Sequence, residues 1–387
     1  MLNCAWFYDR LRNHGISFFT GVPDSLLKDF CAYLEDHLPR ERHVIAANEG
    51  GALALAAGHY LATGSPGLVY MQNSGLGNAV NPLTSLLDPL VYSIPALLLV
   101  GWRGEPGTKD EPQHARQGQI TLELLETLKV SYALLPREAA EAEELLRRAA
   151  VHMKERREPF ALVVSKGTFE PYALASNPPS PGTMTREEAV QLILSRLDPS
   201  AIVVSTTGGT SREVFEYRAG LKEGHQRDFL TVGSMGHASQ IALGIALAQG
   251  QRQVYCLDGD GALLMHMGGL AIIGELSPRN FKHILLNNGA HDSVGGQPTA
   301  ALSLDIPALA RACGYRTALQ AGTGTGVEGG LDQLKLSPGP ALLEIVVKKG
   351  ARKDLGRPTT SPAENKEAFM QFIAQGPGCR RPRRFGA

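Results

Sequence analysis

The stretch Gln253-Val-Tyr-Cys-Leu-Asp-Gly-Asp-Gly-Ala262, answered further on by Phe281-Lys-His-Ile-Leu-Leu-Asn-Asn288, decides how this chain is read. Each is a short apolar run that stops at Gly or Asn, the pattern of a strand buried in a parallel sheet. Between Gly261 and Asn287 lie 25 residues, 262 to 286, enough for a crossover helix and a returning strand. Ligands of open α/β sheets sit outside the carboxyl ends of strands, so Gly259-Asp260-Gly261 and Asn287-Asn288 belong at one edge. Glycines there admit backbone amides to a phosphate, Asp260 offers a hard anionic oxygen and Asn288 a neutral one. Mg²⁺ wants about six oxygens. Two phosphate oxygens, Asp260, Asn288, one main-chain carbonyl and a water supply them. Alone, Gly-Asp-Gly is more often a turn and Asn-Asn a strand cap; together at this spacing the metal reading is preferred.

Working outward, the same rhythm fills the chain. Strands are expected in the first half at Ile16 to Val22, His43 to Asn48, Gly67 to Asn73, Pro95 to Trp102, Tyr132 to Leu135 and Phe160 to Lys166. In the second they are expected at Ala201 to Thr207, Phe229 to Val232, Gln253 to Asp258, Phe281 to Asn288, Tyr315 to Gln320 and Pro340 to Lys348. Six strands in each half, with similar closing segments ending at Gly167 and Gly350, predict an α/β duplication: two six-stranded parallel sheets. The expected boundaries are a first domain over 1–174, a linker over 175–184, a second domain over 185–375 and a basic, solvated tail over 376–387. Thr185 and Glu188 are spaced as a capping box, and 138–157 has the period of an amphipathic helix.

Composition narrows the function classes. The 387 residues carry 38 Lys plus Arg against 38 Asp plus Glu, so there is no electrostatic footprint for nucleic acid or an anionic membrane. Hydrophobic residues at 43% suffice for real cores. Five widely spaced cysteines, with no pair at metal or redox spacing, fit reduced thiols in the cytoplasm. Neither a signal segment nor an apolar run of membrane length is found. Gly-x-Gly at 75–77 lacks the third glycine of a nicotinamide fingerprint.

The paired motif around Asp260 and Asn288 resembles the cofactor-binding motif of thiamine diphosphate enzymes, and the likeness extends over nearly the whole chain. It implies the two-domain thiamine diphosphate-binding fold without the central third domain of larger members, and thiamine diphosphate with Mg²⁺ as cofactors. On that resemblance Gly209, Thr210, Ser211, Ser234, Gly259, Gly261 and Ala262 line the diphosphate side, with Met235 under the thiazolium ring, and Ala290 is the candidate for the main-chain carbonyl on the metal. Asn48-Glu49-Gly50-Gly51 resembles the catalytic glutamate motif, with Glu49 at N1′ of the aminopyrimidine; Asn73 and Gly75 open the turn beside it. Proton sharing with a weakly basic ring nitrogen is what a carboxyl group there provides.

The compact chain looks most like the decarboxylases of 2-oxo acids with a second strong anion on C3, phosphonate first and sulfonate as the alternative. Ser25, Arg103, Lys109, His114 and Arg116, with Lys166, are candidates to hold that anion, the charged ones each equally well read as a solvated loop group. His114 and His291 are candidates to deliver the proton that replaces CO₂. The resemblance further implies a homodimer or higher homo-oligomer with sites shared between chains. Rival readings are an acetolactate synthase-like carboligase and a non-catalytic cofactor binder, the latter disfavoured by the presence of Glu49.

Overall fold

The computed structural model describes residues 1–175 and 179–376. The basic tail from 377 and residues 176–178 of the expected linker lie outside the described residues. Among the described residues twelve strands form: β1 (Phe19–Gly21), β2 (His43–Ile45), β3 (Leu68–Gln72), β4 (Leu97–Gly101), β5 (Ser131–Leu134), β6 (Phe160–Val164), β7 (Ile202–Ser205), β8 (Asp228–Leu230), β9 (Val254–Gly259), β10 (Phe281–Asn287), β11 (Thr317–Ala321) and β12 (Ala341–Val346).

They pair in two parallel sheets, ordered β2-β1-β3-β4-β6-β5 and β11-β12-β10-β9-β7-β8. Numbered from its own first strand, each sheet reads 2-1-3-4-6-5, so the duplication inferred from sequence is present in topology. Every strand was anticipated, the central ones because a central parallel strand is apolar on both faces. In β4, Leu97 and Leu99 enter one core with Phe7 and Phe30, while Leu98 and Val100 enter another with Ala52 and Leu53. Each such side chain contributes roughly 2 kcal/mol by leaving water.

Two expected strands begin too early. Ile16 and Tyr315 do not enter a ladder; their N–H groups bond Leu11 O and Ala310 O, both at 3.0 Å. Each follows a left-handed glycine, Gly15 or Gly314, and closes the preceding helix. An apolar residue two places past a helix end packs back on that helix, and in sequence it imitates the start of a strand. The helix expected over 138–157 forms as Ala139–Arg156, and Thr185 with Glu188 makes the capping box.

The chain divides into two compact units, Met1–Pro178 with His291–Pro298, and Pro179–Ala290 with Thr299–Ala387. The first break falls inside the stretch read as a linker. Ser180 Oγ donates to Val347 O at 2.6 Å and Thr183 Oγ1 to Gly322 O at 2.7 Å, so this end of the stretch is packed on the second unit. The expected second domain did not anticipate that His291–Pro298 belongs to the first unit. Buried Gln297 anchors the segment there, donating from Nε2 to Lys28 O at 3.4 Å, and His291 N–H closes on Gln297 O at 2.8 Å. Among the described residues no helix is long and apolar enough to cross a membrane.

Candidate active site

In both units the groups of interest follow the first four strands, which lie side by side in the order 2-1-3-4. These are the carboxyl ends where parallel sheets bind ligands.

In the first unit the helix Glu49–Thr63 starts from Asn48, whose side chain accepts the Gly51 N–H at 2.8 Å. Glu49 therefore occupies the first helical turn, where exposed amide dipoles favour a carboxylate, and it is only 5% exposed. Asn78 Nδ2 donates to Glu49 Oε2 at 2.7 Å and fixes the carboxyl group. The turn after β3 passes so close that a Cβ on Gly75 would sit 2.6 Å from Glu49 Cγ and overlap Oε1. Glycine at 75 is thus a steric requirement of the Glu49 rotamer.

Asn73, expected to face a cofactor, is buried and wholly engaged as a strut. Its Nδ2 donates to Arg103 O at 2.8 Å and Thr121 Oγ1 at 2.9 Å, while Oδ1 accepts the Arg103 N–H at 3.3 Å. This strut sets the loop after β4. Arg103 then lays one guanidinium edge on Asp110, Nε to Oδ2 at 2.8 Å and Nη2 to Oδ1 at 2.5 Å, and its Nη1 donates to Ser25 Oγ at 2.7 Å. Burial works against ionisation of Asp110, yet hydrogen bonds from Arg103, Glu111 N and Gly104 N hold its pKa well below the usual carboxylate range. His114, 7% exposed, has its pKa pushed down to about 4 by burial and by the Arg103 charge, so it is neutral near pH 7.

Beside this arm lies Asp24, fully buried, with Oδ2 accepting the Leu26 N–H at 2.9 Å and Oδ1 without a partner. A Cβ on Gly101, the last residue of β4, would overlap Asp24 Oδ2. Burial pushes the Asp24 pKa up to about 6 against the amides of Leu26 and Ser25 and the Arg103 charge, with the Asp110 charge adding to the rise. Neither Asp24 nor Asp110 was singled out from sequence. Lys109, Arg116 and Lys166 are exposed, and neither Lys109 nor Arg116 makes a described hydrogen bond or ion pair. Of the expected cations, the arm therefore contains Arg103 and neutral His114.

In the second unit, pairing of β9 with β10 sets Gly259 level with Leu286, so Asp260 and Asn288 emerge from neighbouring strand ends. Both are buried, at 4% and 5% exposure, as are Gly261, Ala262 and Ala290. Thr299 Oγ1 donates to Asp260 Oδ2 at 2.5 Å, and Asn288 Oδ1 accepts the Ala290 N–H at 3.0 Å. After β7 the helix Gly209–Gly220 begins with Gly209, Thr210 and Ser211. Ser211 Oγ ties strand ends together through Thr206 O at 2.8 Å and Thr231 O at 2.9 Å. Like Asn73, it builds the scaffold. Ser234 is exposed in a left-handed conformation and Met235 is half-buried in the turn before the helix Ala238–Ala248.

Cys256, Asp258 and His283 form the cluster of metal-ligating types among the described residues. Its histidine is already bonded on both sides, to Asp258 Oδ2 at 3.3 Å and Tyr315 Oη at 3.0 Å, and burial pushes the Cys256 thiol up. It is a core polar chain.

Comparison with known proteins agrees with this geometry. Residues 4–125 match the thiamine pyrophosphate enzyme N-terminal TPP binding domain and residues 207–345 the C-terminal TPP binding domain. Phosphonopyruvate decarboxylase of Streptomyces viridochromogenes is 35% identical over 97% of this chain and 96% of its own length. The chain belongs to the thiamine pyrophosphate enzyme family. A second phosphonopyruvate decarboxylase, from Streptomyces hygroscopicus, is 36% identical over 97% of this chain and 95% of its own. Sulfopyruvate decarboxylase of Methanosarcina acetivorans is 28% identical over 94% and 95%.

The residues present fit the family's cofactor. Asp260 and Asn288 are hard oxygen donors on adjacent strand ends, with glycines flanking Asp260. Glu49 is a buried carboxyl group with one oxygen fixed by Asn78 and a glycine cradle against it. Asn78 and Thr299, which orient these two acids, carried no sequence signal beyond Asn78 closing the turn motif that begins at Asn73.

Proposed function

We propose that the chain is a thiamine diphosphate- and Mg²⁺-dependent decarboxylase that converts 3-phosphonopyruvate to phosphonoacetaldehyde and CO₂. The observation that carries this reading is full-length similarity, at 35% and 36% identity, to two phosphonopyruvate decarboxylases, against 28% to a sulfopyruvate decarboxylase. Bound thiamine diphosphate supplies an electron sink for the pair left when CO₂ departs. Glu49, held by Asn78, shares a proton with the pyrimidine ring, which is what makes a buried carboxyl group useful there. Asp260, Asn288 and the Ala290 carbonyl hold Mg²⁺ against the diphosphate, and Thr299 keeps Asp260 pointed. Gly209, Thr210, Gly259, Gly261 and Ala262 approach the diphosphate with main chain, and Met235 supports the ring.

Arg103 uses its Nε–Nη2 edge for Asp110; Nη1, shared with Ser25, is directed to the phosphonate. Loss of CO₂ breaks one C–C bond and consumes one proton at C2. Neutral His114, whose Nδ1 has no partner in the buried arm, is suited to pass that proton and is preferred to His291. Exposed apolar residues of the catalytic helix, Leu55 at 41% and Leu61 at 72%, support a homo-oligomer, and sites shared between chains follow from the family likeness. The described cysteines are free thiols, which supports a cytoplasmic setting. The test is product formation: phosphonoacetaldehyde and CO₂ appear one to one only when thiamine diphosphate and Mg²⁺ are both supplied. Substrate consumption without aldehyde overturns the proposal.

A further inference from the structure

The arm that receives the second anion has no surplus positive charge. Asp110 matches the charge of Arg103 through two hydrogen bonds, and His114 is neutral near pH 7. To this the fold adds Asp24, a carboxyl group with no exposed surface, one unpartnered oxygen, and a glycine at 101 wherever a side chain would displace it. An anion of two negative charges entering here meets an arm that is neutral at best.

We propose that Asp24 is a positioning residue for the substrate's second anion: its buried carboxyl group takes up a proton when that anion binds beside Arg103, so the arm loses its net negative charge only in the complex. This rests on the decarboxylase reading of the site. The groups facing Asp24 are known from each side. The amides of Ser25 and Leu26 come from its own loop, Cys31 from the helix Lys28–His37, and Arg103 and Asp110 from the loop after β4; His114 acts on the latter two from the helix Pro112–Thr127.

Burial already pushes Asp24 up to about 6, so a further negative charge nearby carries it through neutrality. Asp110, tied to Arg103 and two amides, is held well below the usual range and stays ionised. The unpartnered Oδ1 is the oxygen that gains the proton, and the Leu26 N–H remains on Oδ2. A proton on the acid thus accompanies the ligand, and affinity becomes pH-dependent by linkage.

Calorimetry on the holoenzyme at pH 7, in buffers of different ionisation enthalpy, counts protons taken up per ligand. The probes are 3-sulfopropionate and 3-phosphonopropionate, which lack the 2-oxo group and do not react. The sulfonate does not titrate near neutrality, so its count belongs to the protein. Wild type is expected to take up close to one proton more than Asp24→Asn with either probe; equal counts overturn the proposal. If Asp24→Asn does not fold, wild-type affinity for 3-sulfopropionate is followed from pH 6 to pH 8. A loss of about tenfold per pH unit supports the proposal and a flat profile overturns it. Turnover of phosphonopyruvate by an enzyme with equal proton counts rejects the role of Asp24 alone. Failure to turn over either 2-oxo acid rejects the decarboxylase reading, whatever the counts.

Discussion

Asp24→Asn is expected to stabilise the protein while harming its use of substrate. Raising a buried acid from its ordinary 3.8 to about 6 costs the folded state about 3 kcal/mol once the group is ionised. The sign follows from proton binding: between these two values the native state holds the proton that the unfolded chain has released. The stability belonging to the protonated acid is therefore complete below about pH 4 and lost as pH rises through 6. Asparagine has the same shape, keeps an oxygen for the Leu26 N–H, and never ionises. The variant should match wild type at acid pH, exceed it by about half of 3 kcal/mol at pH 5, and by about 3 kcal/mol at pH 7.5. For a unit of this size that is a rise of about 6–12 °C in Tm at pH 7.5. Scanning calorimetry of both proteins at pH 5 and pH 7.5 measures it. A gap that is the same at both pH values, or a variant less stable at pH 7.5, would refute the assignment of a buried ionised carboxyl group.

Gly75→Ala should lower kcat at least tenfold with cofactor affinity nearly unchanged, because the new Cβ displaces the Glu49 carboxyl group and not the metal site; steady-state kinetics and cofactor titration separate the two. Asp260→Ala should abolish Mg²⁺-dependent thiamine diphosphate binding in calorimetry, since the anionic ligand of the proposed metal set is gone. Glu49→Gln and Asp260→Ala subunits, each inactive, should recover part of the activity when mixed, dissociated and reassociated, as sites shared between chains require. Persistent inactivity of demonstrably mixed oligomers counts against that arrangement.

What was legible in the sequence is what local chemistry dictates. Central strands buried on both faces must be apolar and must end at turn residues, which is why they could be found, although Ile16 and Tyr315 were misassigned from helix ends. Glu49, Asp260 and Asn288 could be picked out because each lies at or shortly after the carboxyl end of a strand and is of a residue type that can carry the proposed chemistry. Asp24 and Asp110 were not, because nothing nearby in sequence says that one will be sealed against Gly101 or that the other will fold back over seven positions onto Arg103. Lys109 and Arg116 were chosen for charge alone, and charge is also what an exposed loop or helix carries. Asn73 and Ser211 show that a polar residue next to a candidate site can also be bonded into the scaffold that holds it.

The central claim, that this chain decarboxylates a C3-phosphonate in preference to its sulfonate analogue, is tested most directly by one ratio. This is kcat/KM for 3-phosphonopyruvate over kcat/KM for sulfopyruvate, read as aldehyde formed by the enzyme loaded with thiamine diphosphate and Mg²⁺. The account predicts a ratio well above ten. A ratio at or below one, or no aldehyde from either acid, would contradict it.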